Sequence, residues 1–206
     1  MNYLAHAYLS FNEPQILVGN MISDFVKGKK QFDYASGIHR GIRLHRAIDD
    51  FTDTHEAIKE IKEFFRADYR LYSGAFTDIV LDYYLANDER EFVNEKALLD
   101  FSQRVYTSLN NQVATLPQAF IPFFDAMKKH DFLYHYRFQW GIRNSFEGMV
   151  RRAAYIHDAG KAFAIFQENI QLIQPYYDQF FPLLKKYAAH TMEQLLHDDS
   201  YIFEKK

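Results

Sequence analysis

Two amphipathic segments carry acidic and histidine side chains at positions where an inward apolar stripe should continue. The two stripes consist of Ile38, Ile42, His45 and Asp49, and of Leu71, Ala75, Asp78, Asp82 and Leu85. Their steps of three and four residues put each set on one face of an α-helix. Burying an unpaired carboxylate is costly, so several such groups facing one interior require a compensating cation. The pattern therefore predicts a helical protein with a metal site.

Seven polar residues at helix-compatible spacings form the candidate site: His6, Asn20, Asp24, His45, Asp49, Asp78 and Asp82. The chain has no cysteine, so oxygen and imidazole nitrogen must hold any metal, which suits Mn²⁺, Mg²⁺ or Fe²⁺. Basic residues follow closely in the sequence: Lys27, Lys29, Lys30, Arg40, Arg43 and Arg46. Cations beside a metal stabilise charge on a phosphoryl group, so the combination favours phosphate chemistry.

Composition limits the class of protein. A chain of 206 residues, 48% apolar and 25% charged, is typical of one globular domain. The lack of cysteine fits a reducing compartment, so we expect a cytoplasmic protein. We find no signal peptide and no apolar run of roughly 20 residues that would span a membrane. The net charge of −3 argues against general nucleic-acid binding.

The chain has helical patterns throughout and no convincing strand alternation. We predict an all-α single helical domain over residues 1–206, with a metal-site half at 1–90 and a second helical half at 91–206. Helices are expected at about 14–28, 36–51, 53–65, 73–87, 94–113, 117–128, 144–156, 161–173 and 175–197. Capping residues are expected at Ser36, Asp53, Ser73, Asn94 and Asn144.

Four separated motifs make the sequence recognisable. They are Asn2-Tyr-Leu-Ala-His6, Gly19-Asn20-x-x-x-Asp24-Phe-Val-Lys-Gly28, Gly41-Ile-x-Leu-His45-Arg46-x-Ile-Asp49-x-Phe-Thr-Asp53-x-His55 and Asp78-x-x-x-Asp82-x-x-Leu-Ala. In order and spacing they resemble the acyl carrier protein phosphodiesterase family, also called acyl carrier protein hydrolase, which is related to HD-type metal phosphohydrolases. The clear match spans roughly residues 1–90.

The resemblance implies an HD-phosphohydrolase-like all-α fold and a divalent metal, Mn²⁺ before Mg²⁺ or Fe²⁺. It also implies hydrolysis of the phosphodiester that joins 4′-phosphopantetheine to a serine of acyl carrier protein. The implied metal ligands are His6, Asp24, His45, Asp49, Asp78 and Asp82. Acyl carrier proteins are small and acidic, so a basic patch should receive them. We expect Lys29, Lys30, Arg40 and Arg43 to form it.

Individual roles follow from residue type. Asp24 and His45 are expected to be catalytic, and Arg46 is expected to clamp a phosphate. Asn20 is expected either to orient Asp24 or to be a helix packing residue. If the residues near the metal contact the substrate, Asn20 and Lys27 are expected to be among them. One position departs from the family, because this chain has Tyr83 where members often have histidine. Tyrosine is a poor metal ligand at neutral pH, so an altered site is expected there.

Two other functions remain open from the sequence. The same metal site could act on a nucleotide or another small phosphate ester, for which we expect a closed pocket. Alternatively, the polar interior could be only a hydrogen-bond network in a non-catalytic helical binding protein, which would bind no metal. The sequence makes no prediction of the oligomeric state.

Overall fold

The computed structural model describes residues 1–197, and within them every regular element is helical. The α-helices are α1 (Tyr3–Tyr8), α2 (Pro14–Ile22), α3 (Ser36–Thr54), α4 (Glu56–Tyr69), α5 (Ser73–Ala86), α6 (Glu95–Asn110), α7 (Ile121–Lys129), α8 (Phe132–His135), α9 (Gln139–Arg152) and α10 (Gly160–His197). The all-α prediction is confirmed. The single domain over 1–206 stays a prediction, and its last nine residues lie outside the described range. No helix within residues 1–197 is both long and apolar enough to cross a membrane.

Helices α2 and α3 pack against each other through two glycines. A Cβ atom on Gly19 would lie 1.9 Å from the carbonyl oxygen of Ile38. A Cβ atom on Gly41 would lie 2.3 Å from the carbonyl oxygen of Ile16. Only glycine therefore allows the two backbones to come this close. The contact brings the next residue of α2, Asn20, directly against α3.

Helix α2 is shorter than the sequence indicated. It ends at Ile22 rather than near Gly28, and a 3₁₀ turn follows at Ser23–Phe25. Lys27 is extended (φ −100°, ψ 141°), and Gly28 has a φ of +58°, which favours glycine. The prediction of a helix that continues through Lys27 to about residue 28 was therefore wrong, because the chain leaves the helix after Ile22.

The C-terminal segment forms one helix instead of the two predicted at 161–173 and 175–197. Helix α10 runs through Pro175 and Pro182. Proline removes a backbone donor and normally breaks a helix. Here the flanking turns are held by a buried apolar stripe, including Tyr177 and Phe180, and α10 packs on α3 and α4. Tertiary packing therefore outweighs the local signal.

Of the predicted caps, only Asn94 is confirmed: its side-chain oxygen accepts a hydrogen bond from the Ala97 N–H at 2.9 Å. Ser36 and Ser73 are the first residues of α3 and α5, and neither helix start has a capping hydrogen bond from a side chain. Asp53 lies in the last turn of α3, and His55 caps α4 instead, accepting from the Ala57 N–H at 3.2 Å.

Three further sequence-based assignments were wrong. Asn144, predicted to open a helix at 144–156, lies inside α9. Val113, predicted to end the helix that starts at 94, and Leu71, predicted to face inward, have 45% and 99% of their surface exposed. Both lie in short 3₁₀ turns at helix ends, where the chain no longer follows the helical period on which the prediction depended.

Candidate metal centre

Two helices and one turn bring four of the predicted residues together. His6 comes from α1, Asp24 from the 3₁₀ turn after α2, and His45 and Asp49 from successive turns of α3. One ligand atom each from His6, His45 and Asp49 lies within 4.8 Å of the others. Imidazole nitrogens and a carboxylate at such separations suit a divalent cation.

The side chains point at a common centre. The Nε2 atom of His45 lies 3.0 Å from Asp49 Oδ2 and 3.3 Å from Asp24 Oδ1. The other Asp49 oxygen, Oδ1, lies 3.2 Å from His6 Nε2. The two imidazole rings stack with their centroids 3.9 Å apart. Asp49 is therefore the carboxylate shared by both histidines.

Asn20 sets the orientation of both histidines. Its amide nitrogen donates to the His6 carbonyl at 2.8 Å and to Ser10 Oγ at 3.1 Å, so its amide oxygen faces His6 Nδ1 at 2.8 Å. Its backbone carbonyl lies 2.7 Å from His45 Nδ1. Oxygens only accept here, so both Nδ1 atoms carry a proton and both Nε2 atoms face the pocket. Asn20 was expected to orient Asp24, but its hydrogen bonds go to His6, Ser10 and His45 instead. Asn20 is fully buried and does not line the pocket.

The fit to a metal rests on an orphaned atom. His45 Nε2 is buried and has no partner in hydrogen-bond geometry within the described chain, although the two carboxylates are close enough for ion pairs. A buried polar atom without a partner is costly. A cation between His6, His45 and Asp49 would satisfy it. The donor set and its orientation therefore fit a divalent metal.

The metal-free cluster has separated pKa values. Burial, and then the neighbouring His45, lower the pKa of His6 to about 4. Burial also lowers the pKa of His45, but the carboxylates of Asp24 and Asp49 raise it more, to about 9. His45 holds the pKa of Asp24 below its usual range, and the two histidines outweigh burial to lower that of Asp49. At neutral pH, His45 is therefore an imidazolium beside two carboxylates, and His6 is neutral.

The two remaining acidic candidates have other contacts. Asp78 lines the same pocket, and its Oδ1 lies 2.9 Å from the amino nitrogen of Met1. Asp82 is fully buried beneath α1, where it accepts hydrogen bonds from the N–H groups of Leu4 at 2.7 Å and Ala5 at 3.2 Å. Burial raises the pKa of both, that of Asp82 to about 7. Asp82 thus holds the start of α1, and its role as a ligand stays a prediction that these contacts do not support.

The pocket is acidic. Its cavity measures about 210 Å³ and is lined by Met1, Asn2, Tyr3, His6, Asp24, His45, Asp49, Thr52, Asp53 and Asp78. No lysine or arginine of the described chain is among these residues. Arg46, the predicted phosphate clamp, donates to Gln31 Oε1 at 2.7 Å and reaches the Val26 carbonyl at 3.4 Å. The predicted cations therefore lie outside the pocket wall.

Sequence reasoning missed Tyr3, although it lies within the first motif. Burial and the charge of Asp24 raise the pKa of Tyr3. Its ring lies 4.7 Å from that of Phe123, which brings α7 to the edge of the pocket. Tyr83 is not in the pocket wall and packs edge-on against Phe166 at 5.1 Å. The departure from the family at Tyr83 therefore does not touch the cluster.

Asn20→Ala should weaken Mn²⁺ binding by about 10- to 100-fold, because His6 loses the amide oxygen that orients it, whereas the backbone carbonyl that faces His45 Nδ1 remains. Isothermal titration with Mn²⁺ measures this, and circular dichroism verifies the fold. Asn87→Ala is the matched control, since the Asn87 amide bonds only to the carbonyls of Tyr83 and Arg137, outside the pocket. An unchanged affinity in a folded Asn20→Ala variant would contradict the orienting role.

Comparison with known proteins identifies relatives over nearly the whole chain. The profile of the family described as "Acyl carrier protein phosphodiesterase" matches residues 1–184. A protein of that name from Yersinia pestis is 29% identical over 190 residues, which is 92% of this chain and 98% of that protein. One from Photorhabdus laumondii subsp. laumondii is 26% identical over 201 residues, 98% of each chain. One from Pectobacterium atrosepticum is 34% identical over 120 residues, 58% of this chain and 62% of that protein.

No solved structure matches the chain, and the expected relation to HD-type phosphohydrolases stays a prediction. The family match extends well beyond residues 1–90, where the recognisable motifs lie, so it includes the helices that close the fold around the pocket. The chain belongs to the acyl carrier protein phosphodiesterase family.

Proposed function

We propose that this protein hydrolyses the phosphodiester between 4′-phosphopantetheine and the serine of acyl carrier protein, in a reaction that depends on a divalent metal. The products are apo acyl carrier protein and 4′-phosphopantetheine. Membership of the family supports the reaction and the protein substrate. The metal dependence rests on the chemistry of the pocket.

One observation carries the metal dependence. The pocket wall contains four carboxylates, those of Asp24, Asp49, Asp53 and Asp78, and no lysine or arginine of the described chain. The amino group of Met1, paired with Asp78, and the imidazolium of His45 offset only two of these charges, so the wall stays negative and repels an anionic phosphodiester unless a cation is bound. His6, His45 and Asp49 would hold that cation, and their nitrogen and oxygen donors suit Mn²⁺, with Mg²⁺ and Fe²⁺ as alternatives. When bound, it would supply charge neutralisation for the phosphoryl oxygens and lower the pKa of a water molecule.

Asp24 is the proposed general base. It lies beside the metal-holding cluster but outside its three ligands, and its side chain is exposed to the incoming substrate. An aspartate carboxylate is ionised at neutral pH, so Asp24 can accept a proton from the attacking water. Asn20 holds the Nδ1 atoms of His6 and His45, so that the Nε2 atoms of both rings face the pocket.

The small cavity favours a tethered substrate. Sites for whole small molecules usually measure roughly 300–1,000 Å³, whereas this cavity measures about 210 Å³. A phosphodiester carried on an arm needs space for the phosphate and its two ester oxygens only. A free nucleotide would have to leave its base and sugar outside the pocket wall.

The direct test incubates the purified protein and Mn²⁺ with holo acyl carrier protein and follows the carrier's intact mass. We expect the carrier to lose the mass of phosphopantetheine. Asp24→Asn should lower the rate by about 10²- to 10⁴-fold while Mn²⁺ still binds, because a general base is lost and the ligands remain. Asp50→Asn, on an exposed neighbour in α3, is the matched control. If Mn²⁺ binds but the carrier keeps its mass, a small phosphate ester is favoured as the substrate. If Mn²⁺ does not bind and the carrier keeps its mass, a non-catalytic binding protein is favoured.

Metal binding should release about one proton per ion at pH 7.5, because His45, with a pKa of about 9, is protonated before it can ligate. Apparent affinity should therefore fall about tenfold for each pH unit below 9 until other groups titrate. Isothermal titration in buffers of different ionisation enthalpy counts the protons. Release of none at pH 7.5 would show that His45 is already neutral or is not a ligand.

A further inference from the structure

A second cavity adjoins the metal pocket and has the opposite charge. It measures about 430 Å³ and is lined by Asp53, Lys62, Arg66, Arg70, Leu71, Ser73 and Gly74. Asp53 also belongs to the wall of the metal pocket, so the two cavities share an edge. Three cations face one carboxylate in this second cavity, whereas in the metal pocket four carboxylates face two histidines and the amino group of Met1.

The cations follow one face of α4. Lys62 and Arg66 lie four residues apart on one side of α4, and Arg70, directly after its last residue, lines the same cavity. Lys62 pairs with Asp53 at 2.7 Å, and Arg66 with the exposed Glu63 at 2.6 Å. The backbone of Arg70 is hydrogen-bonded to Arg66 and Ser73, but its guanidinium has no hydrogen-bond or ion-pair partner among residues 1–197. The face therefore retains positive charge for an incoming molecule.

An apolar side chain stands at the end of this face. Leu71 has 99% of its surface exposed. The preceding residue, Arg70, has φ 44° and ψ −114°, which is a left-handed conformation costly for a non-glycine residue. Strained backbone clusters at functional sites, and Leu71 offers one apolar contact at the end of the cationic face.

We propose that Lys62, Arg66, Arg70 and Leu71 form the docking surface for the body of acyl carrier protein. The inference rests on the proposed function. The serine linkage must reach the metal pocket, so the carrier must sit at its edge, and an acidic protein is repelled by the four carboxylates of that pocket. The adjoining cationic face offers charge complementarity, and Leu71 offers an apolar contact. The patch predicted from sequence is less suited, because Arg40 lines a separate cavity with Gln15 and Gln112.

The test compares charge reversals with two substrates. Arg66→Glu combined with Arg70→Glu should raise KM for holo acyl carrier protein at least tenfold and leave kcat nearly unchanged. Hydrolysis of bis(p-nitrophenyl) phosphate, a diester without a protein body, should be unaffected. Lys96→Glu with Arg104→Glu on α6 changes the net charge equally and should leave both substrates unaffected. Leu71→Ala should raise KM severalfold, whereas Leu172→Ala, an exposed leucine of α10, should not.

The outcomes separate the two proposals. If the wild type acts on holo carrier protein and the Arg66/Arg70 variant keeps the wild-type KM, this surface is not the docking site. A raised KM in Lys29→Glu with Lys30→Glu instead would assign docking to the 3₁₀ segment at Gly28–Asp33. If the wild type with bound Mn²⁺ releases nothing from the carrier, the proposed function fails before the docking surface is in question.

Discussion

Replacing Asp49 by asparagine should abolish stoichiometric Mn²⁺ binding and lower the release of phosphopantetheine by about a thousandfold or more. Asp49 is the carboxylate that faces both histidines, at 3.0 Å from His45 and 3.2 Å from His6. Asparagine has the same shape without the charge, so the ion loses its central ligand. Losing several kcal/mol of metal-based stabilisation corresponds to a rate loss of about this size. Metal content by mass spectrometry and the intact-mass assay measure the two effects.

Asp50→Asn is the control for Asp49→Asn, since it removes the same charge one residue further along α3 on an exposed position. It should keep the metal and the rate. Asp24→Asn completes the comparison, because it should keep the metal and lose the rate. Should Asp49→Asn retain one tightly bound Mn²⁺ per chain, the ligand set His6, His45 and Asp49 is incorrect.

Replacing Gly41 by alanine should destabilise the fold by about 3 kcal/mol and disrupt the metal centre at the same time. The new Cβ would lie 2.3 Å from the Ile16 carbonyl oxygen and 2.9 Å from the Cα of Gly19, and backbone cannot move aside as a side chain can. Helices α2 and α3 would have to separate. Asn20 would then move away from His45, so metal affinity should fall together with stability. Urea unfolding and Mn²⁺ titration measure both.

Gly148→Ala is the matched control for Gly41→Ala. Gly148 lies inside α9, and a Cβ there meets only the ends of two arginine side chains, at 3.5 and 3.7 Å. Alanine favours a helix over glycine by roughly 0.5–1 kcal/mol, so this variant should be neutral or more stable. If Gly41→Ala behaved like Gly148→Ala, the close approach of α2 and α3 would not be required for the site.

Much of the site was predictable because its pattern is local. An interval of four residues puts His45 and Asp49 on one helix face wherever the helix packs, and the apolar residues beside them require that face to turn inward. The helical class follows from the same periodicity over the whole chain. The absence of cysteine limits the ligand chemistry in the same direct way.

Other assignments depended on contacts between distant segments. Asp82 has the same helical spacing from Asp78 as Asp49 from His45. It nevertheless accepts hydrogen bonds from the first turn of α1, because α1 packs against α5 there. Lys27 and Arg46 were expected near the phosphate, but neither lines the pocket. Helix α2 ends before Lys27, and Arg46 donates a hydrogen bond to Gln31.

The sequence by itself therefore determined the helical class, the metal-ligand chemistry and the faces that carry it. The tertiary structure alone decided which faces meet. The helical period is a property of hydrogen bonds between residues four apart, so it can be read along the chain. The contact of α2 with α3 depends on how closely two backbones approach at Gly19 and Gly41, and that distance is set only when the whole core packs.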